Sequence, residues 1–149
     1  MFLLILVTPI THALLSDQEM ISIAQKEVNK TIPLEYRSEY IFKAIRKSTP
    51  ELSYDTTYTL IWQRYVNKII VLEDGFSILI DSENGNIIHK DYSFSVPSSQ
   101  LDTTPILTSN QAKFVVEKNI TDISEERGLE IRGNTLYWTF KVVGGNLVR

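Results

Sequence analysis

Few side chains in this 149-residue chain could do acid–base, nucleophilic or metal chemistry. There is no cysteine, which removes thiolate nucleophiles, disulfides, zinc–thiolate sites and iron–sulfur ligation together. The two histidines, His12 and His89, are too few and too far apart for a histidine metal site or a hydrolytic triad. A carboxylate dyad could be drawn from 18 acidic residues, but no spacing singles one out. Asp81-Ser82-Glu83-Asn84-Gly85-Asn86 has the composition of a calcium loop without its spacing. An EF-hand needs Gly at position six and Glu at twelve, and here Gly85 falls at five and Tyr92 at twelve. The segment reads instead as a hairpin turn, since Asn-Gly readily adopts positive φ. No catalytic, metal-binding or cofactor-binding residue is expected.

Recognition chemistry remains. Trp62, Arg64 and Tyr65 are of types suited to interface hot spots. They form an interaction patch, or else Trp62 is core and Arg64 is solvated beyond a sheet end. Asp81, Asn84 and Gly85 join them as tentative interaction residues at a hairpin tip. Lys43, Arg46 and Lys47 form a small basic face, read as a solvated helix end. Net charge of −3 and a pI near 5.4 supply no basic field for nucleic acid. Asn29-Lys30-Thr31 and Asn119-Ile120-Thr121 are glycosylation sequons that chance alone would produce.

The elements that must position these residues are written twice. Thr59-Leu60-Ile61-Trp62 recurs as Thr135-Leu136-Tyr137-Trp138, and each copy follows a capping-box signal, Ser16 to Glu19 and Thr108 to Gln111. In the first copy, Met20, Ile21, Ile23, Ala24 and Val28 make one stripe of a helix over 17–29. Tyr36, Tyr40, Ile41, Ala44 and Ile45 predict a second helix over 35–47, stopped by Pro50. Strands follow over 57–65, 68–72, 76–81 and 87–92, with turns at Glu73-Asp74-Gly75 and at 82–86. Residues 96–105 read as a linker. The second copy has a helix over 110–119 with Ala112, Val115 and Val116 inward, an acidic loop or helical turn over 122–128, a turn at Gly133-Asn134 and a strand over 135–143. The copies lie 92 residues apart at the helix (16 to 108) and 76 at the tryptophan (62 to 138), so the first carries about 16 more residues, assigned to its second helix.

The expected fold class is therefore α+β: an antiparallel meander with helices on one face, repeated twice, the second copy partial. Residues 14–95 and 106–149 are the two units. Phe2 to Val7 is an apolar run too short to span a bilayer, followed by small residues Thr11 and Ala13 at signal-peptidase spacing. Residues 1–13 are read as an export signal, although no Lys or Arg precedes the run; the alternative is a buried first element.

The run from Tyr58 through Trp62, Arg64 and Tyr65, then Asp74-Gly75, then Ile80-Asp81-Ser82-Glu83-Asn84-Gly85-Asn86-Ile87-Ile88, resembles a PepSY-type domain. Asn84 stands where that family's signature usually has Thr. The resemblance spans about residues 15 to 95; residues 106 to 149 match only its helix and first strand. It implies a secreted or cell-surface, non-catalytic module, of the kind found in propeptides that chaperone or inhibit secreted metallopeptidases. The expected partner is a protein, either a secreted peptidase or a neighbouring copy of the chain. Alternatives are a surface subunit assembling by strand complementation and a small-ligand binder using Tyr36, Tyr40 or Trp62. No nucleic acid partner and no integral membrane segment are expected.

Overall fold

The computed structural model describes residues 13–48, 57–117, 123–142 and 147–148. Of residues 1–13, proposed as an export signal, residues 1–12 lie outside them. No helix among the described residues is long and apolar enough to cross a membrane.

The fold is mixed α+β. Helix α1 (Asp17–Thr31) starts at the expected capping box: Ser16 Oγ accepts from the Glu19 backbone N–H, and the Glu19 carboxylate accepts from the Ser16 N–H at 2.8 Å. Those bonds to Ser16 hold the exposed Glu19 carboxyl below its usual pKa. Ile32 ends the helix in extended conformation, just before Pro33.

The predicted second helix is not formed. Leu34–Glu39 is a short 3-10 helix and Tyr40–Ser48 is strand β1, paired with β2 (Thr57–Val66). Tyr36, Tyr40 and Ala44 do fall at helical spacing, but burial here alternates, with Tyr40 inside and Ile41 outside. Aromatic and β-branched residues gain more from pairing with β2 than from an isolated helix. The extra length of the first half thus lies in its longer helix, its 3-10 turn and the longer connection between β1 and β2.

Strand β3 (Ile69–Asp81) follows β2 through a turn at Asn67-Lys68, both at positive φ (50° and 68°). The turn predicted at Glu73-Asp74-Gly75 is instead a bulge inside β3. Tyr65 pairs with Ile70 and Gln63 with Gly75, so Arg64 alone faces Val71 to Asp74. Gln63 Nε2 donates to the carbonyls of Val71 (2.6 Å) and Asp74 (2.7 Å), satisfying groups that the bulge removes from the ladder.

The bulge divides the sheet. Beyond it, β3 pairs antiparallel with β4 (Ile87–Ser93). Before it, Ile70 and Val71 pair in parallel with β5 (Ile123–Arg132). Helix α2 (Ser109–Glu117) precedes β5. Strand β6 (Thr135–Val142) pairs with β5, and β7 (Leu147–Val148) meets β6 at Phe140 and Lys141. One seven-stranded sheet results, in the order β1-β2-β3-β5-β6-β7 with β4 beside β3. The second half therefore extends the first half's sheet. The acidic segment expected as a loop or helical turn contributes to strand β5 from Ile123 onward.

Two cores flank the bulge. Met20, Ala24 and Val28 of α1 cover Leu60, Trp62, Phe76, Ile78 and Ile80. Val66, Ile69, Val71, Leu101 and Ile131 form the other. The predicted linker is packed, with Leu101 buried and Val96 against the second core.

The hairpin turn between β3 and β4 forms as expected, with Gly85 at φ +76°. It rests on the start of α1: Leu15 N–H donates to the Ser82 carbonyl at 2.7 Å. A Cβ on Gly85 would come within 2.8 Å of Ile23 Cδ1. Gly85→Ala is expected to destabilise the protein by about 1–3 kcal/mol, through the positive φ and the displaced Ile23. A urea midpoint unchanged from wild type would contradict this packing.

Buried Tyr40 donates its phenol to the Ser93 carbonyl at 3.0 Å. Burial, reinforced by Tyr92 and Asp74, raises its pKa well above the usual phenol value. Its contribution to stability is complete below the unfolded-state value of about 10 and is lost as pH rises through and beyond it. Tyr40→Phe should lower stability by about 1 kcal/mol at pH 7 and flatten the alkaline fall in unfolding free energy. Equal alkaline slopes for the two proteins would count against it.

Candidate functional site

The tentative interaction residues do not form one surface. Trp62 is 1% exposed beneath α1, its indole N–H donating to Gln25 Oε1 at 2.9 Å. Arg64, expected in the patch or in solvent, is fully buried at 0%. Only Tyr65 of the three is half-exposed, on the rim of a polar hollow of about 720 Å³ with Glu39, Lys68 and Ser98, and Lys43 Nζ lies 4.9 Å from its ring centre. The basic residues Lys43, Arg46 and Lys47 lie on edge strand β1 rather than at a helix end.

At the hairpin tip, the side chains of Asp81 and Asn84 serve the turn itself. Asp81 Oδ1 accepts from the Glu83 N–H (2.8 Å), its Oδ2 from Asn84 Nδ2 (2.7 Å), and Asn84 Oδ1 from the Asn86 N–H (2.8 Å). His89 is exposed on β4. Among the described residues no group of three or more His, Asp or Glu could hold a metal ion.

Arg64 anchors a buried polar cluster. Its guanidinium donates to Asp74 Oδ2 (2.6 Å), Glu39 Oε2 (2.7 Å), the Val96 carbonyl (2.7 Å) and Ser98 Oγ (3.2 Å). Its planar group lies over Phe94 at 4.4 Å and Tyr36 at 5.7 Å. Ser98 in turn donates to Glu39, and Ser95 donates to Asp74 through its N–H (2.8 Å) and hydroxyl (3.1 Å). Burial works to lower the Arg64 pKa, but hydrogen bonds and charge from Asp74 and Glu39 outweigh it and raise the value. Each of its three nitrogens has a partner, so the cluster acts as a structural tie between segments.

The open site lies in the second half. Between α2 and the β5–β6 hairpin is a cleft of about 460 Å³. Ala112 and Val116 of α2 form its roof, and Leu129, Leu136, Trp138 and Phe140 line the sheet side. Ile106 and Leu107 stand at one end; Asp102, Thr104, Asn134 and Thr135 supply polar atoms. Its volume and apolar lining suit a binding site.

Local sequence places each wall. The second capping box forms as expected: Thr108 N–H donates to Gln111 Oε1 at 2.9 Å, and Thr108 Oγ accepts from the Gln111 N–H. Trp138 donates its indole N–H to the Leu107 carbonyl at 2.9 Å, tying β6 to the lead-in of α2. Gly133 makes the β5–β6 turn at φ +56°, and its N–H donates to Glu73 of the β3 bulge at 2.8 Å. Ala112 is buried and Val116 half-buried, as the periodicity predicts, but Val115 is 52% exposed. The sequence analysis did not mark Ile106 and Leu107, which lie just past the expected linker. Two consecutive large apolar residues just before a capping box were the available signal.

A scan against protein-family models, a search of curated proteins and a search of solved structures each find no match to this chain.

Arg64→Met is expected to cost about 3–5 kcal/mol, because Asp74, 1% exposed, would be left buried without its ion-pair partner. Arg64→Met combined with Asp74→Leu should recover part of that loss. Denaturation by urea reads both, and a loss below about 1 kcal/mol in the single variant would show the cluster to be dispensable.

Proposed function

We propose that this chain is a non-enzymatic protein-interaction module of the secreted or cell-envelope kind, and that it engages a protein partner through the cleft between α2 and β6. The observation that carries the reading is the cleft itself: an apolar site bordered by exposed Ile106, Leu107 and Val115, while the equivalent space under α1 is filled. Restraint or chaperoning of a peptidase is the role that the PepSY resemblance supports. A tandem reading agrees with two capping boxes and two tryptophans whose indoles bond toward the preceding helix.

A second reading is a surface subunit assembling by strand complementation. A small-ligand role around Tyr36, Tyr40 or Trp62 loses its basis, since those residues pack into the first core. The α2 cleft, apolar and about 460 Å³, is the site that would suit such a ligand.

The test is titration of the purified full chain against peptidases secreted by the same source, following both binding and peptide hydrolysis. Saturable binding with a changed hydrolysis rate is expected, weakened at least about tenfold by Val115→Glu, which places a charge on the apolar rim without entering either core. No binding and no rate change at any concentration would dispose of the peptidase reading. Binding untouched by Val115→Glu would place the contact elsewhere.

A further inference from the structure

The tip of the β3–β4 hairpin holds a reactive pair. Asn84 is followed by Gly85, and no other asparagine of the chain precedes a glycine. An asparagine amide in that position is open to attack by the glycine's own backbone nitrogen, because no Cβ stands in the way. Asn84 is also exposed to water. The folded turn nevertheless commits the reacting atoms elsewhere. The Gly85 N–H donates to the Asp81 carbonyl at 2.9 Å. The Asn84 amide is held at both ends: Nδ2 donates to Asp81 Oδ2 (2.7 Å), and Oδ1 accepts from the Asn86 N–H (2.8 Å).

We infer that Asn84 is a site of spontaneous deamidation, and that docking of the start of α1 on the hairpin tip controls it. In the reaction the Gly85 nitrogen gives its proton to hydroxide and bonds to Asn84 Cγ. The Cγ–Nδ2 bond breaks, and Nδ2 leaves as ammonia with a proton from water. Water then opens the cyclic imide. Addition at Cγ leaves aspartate at position 84; addition at the backbone carbonyl carbon leaves isoaspartate, with a main chain longer by a methylene. None of this can begin until the bonds of Gly85 and of the Asn84 amide are released. The start of α1 resists that release. Leu15 N–H donates to the Ser82 carbonyl at 2.7 Å, and Gly85 lies so close to Ile23 and Leu15 that an added Cβ would meet their Cδ1 atoms at 2.8 and 3.2 Å.

Neither product fits the turn. With aspartate at position 84, an oxygen replaces the donor Nδ2, and two carboxylates meet where the amide met Asp81. With isoaspartate, the added methylene moves Gly85 away from the Asp81 carbonyl and from Ile23 and Leu15. Either change keeps the tip from closing again on α1. A transient opening of the tip is thereby made permanent, and Leu15, next to the Ser16 capping box, loses its backbone partner.

The test is incubation of the full chain in mildly alkaline buffer, with peptide mass spectrometry following the conversion at Asn84. Folded wild type is expected to convert at least about tenfold more slowly than the same chain unfolded in guanidinium chloride. Ile23→Ala, which loosens the docked surface, and Asp81→Ala, which removes the acceptor for Asn84 Nδ2, should each convert several-fold faster than wild type while still folded by circular dichroism. The deamidated fraction, separated by its added negative charge, should exchange the Leu15 amide faster than the unreacted chain. Equal rates in folded and unfolded wild type would overturn the inference, and that comparison decides alone if a variant fails to fold. Folded variants that convert at the wild-type rate would overturn control by the α1 contact. A Leu15 amide as protected after conversion as before would overturn the permanent release.

Discussion

The guanidinium of Arg64 ties together three pieces of chain that are distant in sequence. It sits opposite the β3 bulge and binds Asp74 from that bulge, Glu39 from the 3-10 turn before β1, and Val96 and Ser98 from the segment after β4. A buried cation is expensive unless every donor is satisfied. That requirement fixes the bulge, the 3-10 turn and the return of the chain across the sheet at once. Because the segment after β4 is pinned here, Leu101 reaches the second core and α2 begins where it does. The bulge has its own consequence. It lets one long strand take β4 along one part and β5 along another, so that antiparallel and parallel pairing coexist beside β3.

The two halves then differ in how completely their helices are covered. Beneath α1, the β3–β4 hairpin supplies Phe76, Ile78 and Ile80 beside Leu60 and Trp62, and the space is closed. Beneath α2, β6 carries Trp138 and Phe140, and a cleft remains between helix and strand. A helix over a tryptophan-bearing strand is sealed in one place and leaves a cleft in the other. The proposed interaction is placed at the cleft because the exposed apolar surface beside it favours another polypeptide as the occupant.

Much of this was legible in local sequence. Capping boxes at Ser16 and Thr108, the strand around Trp62, the Asn84-Gly85 hairpin and the Gly133-Asn134 turn are set by contacts within a few residues, and all form. What was missed depends on distant partners. Tyr36, Tyr40 and Ala44 imitate a helical face, and only pairing with β2 makes the segment a strand. Glu73-Asp74-Gly75 has turn chemistry, yet Gln63 and Arg64 convert it to a bulge. Arg64 read as a solvated or interfacial cation because its partners Glu39, Asp74 and Ser98 lie 25, 10 and 34 residues away. The site itself was only half visible. Ala112 and Val116 were marked as inward, but the cleft beneath them is a property of the assembled sheet.

The central claim is that the apolar cleft between α2 and β6 is accessible from solvent while the space under α1 is closed. Acrylamide quenching of tryptophan fluorescence tests it most directly, with Trp62→Phe leaving Trp138 of the cleft as the reporter and Trp138→Phe leaving Trp62 of the first core. Trp138 should be quenched several-fold more strongly than Trp62, which is 1% exposed. Equal protection of the two indoles would show the cleft to be closed, and the account would be wrong.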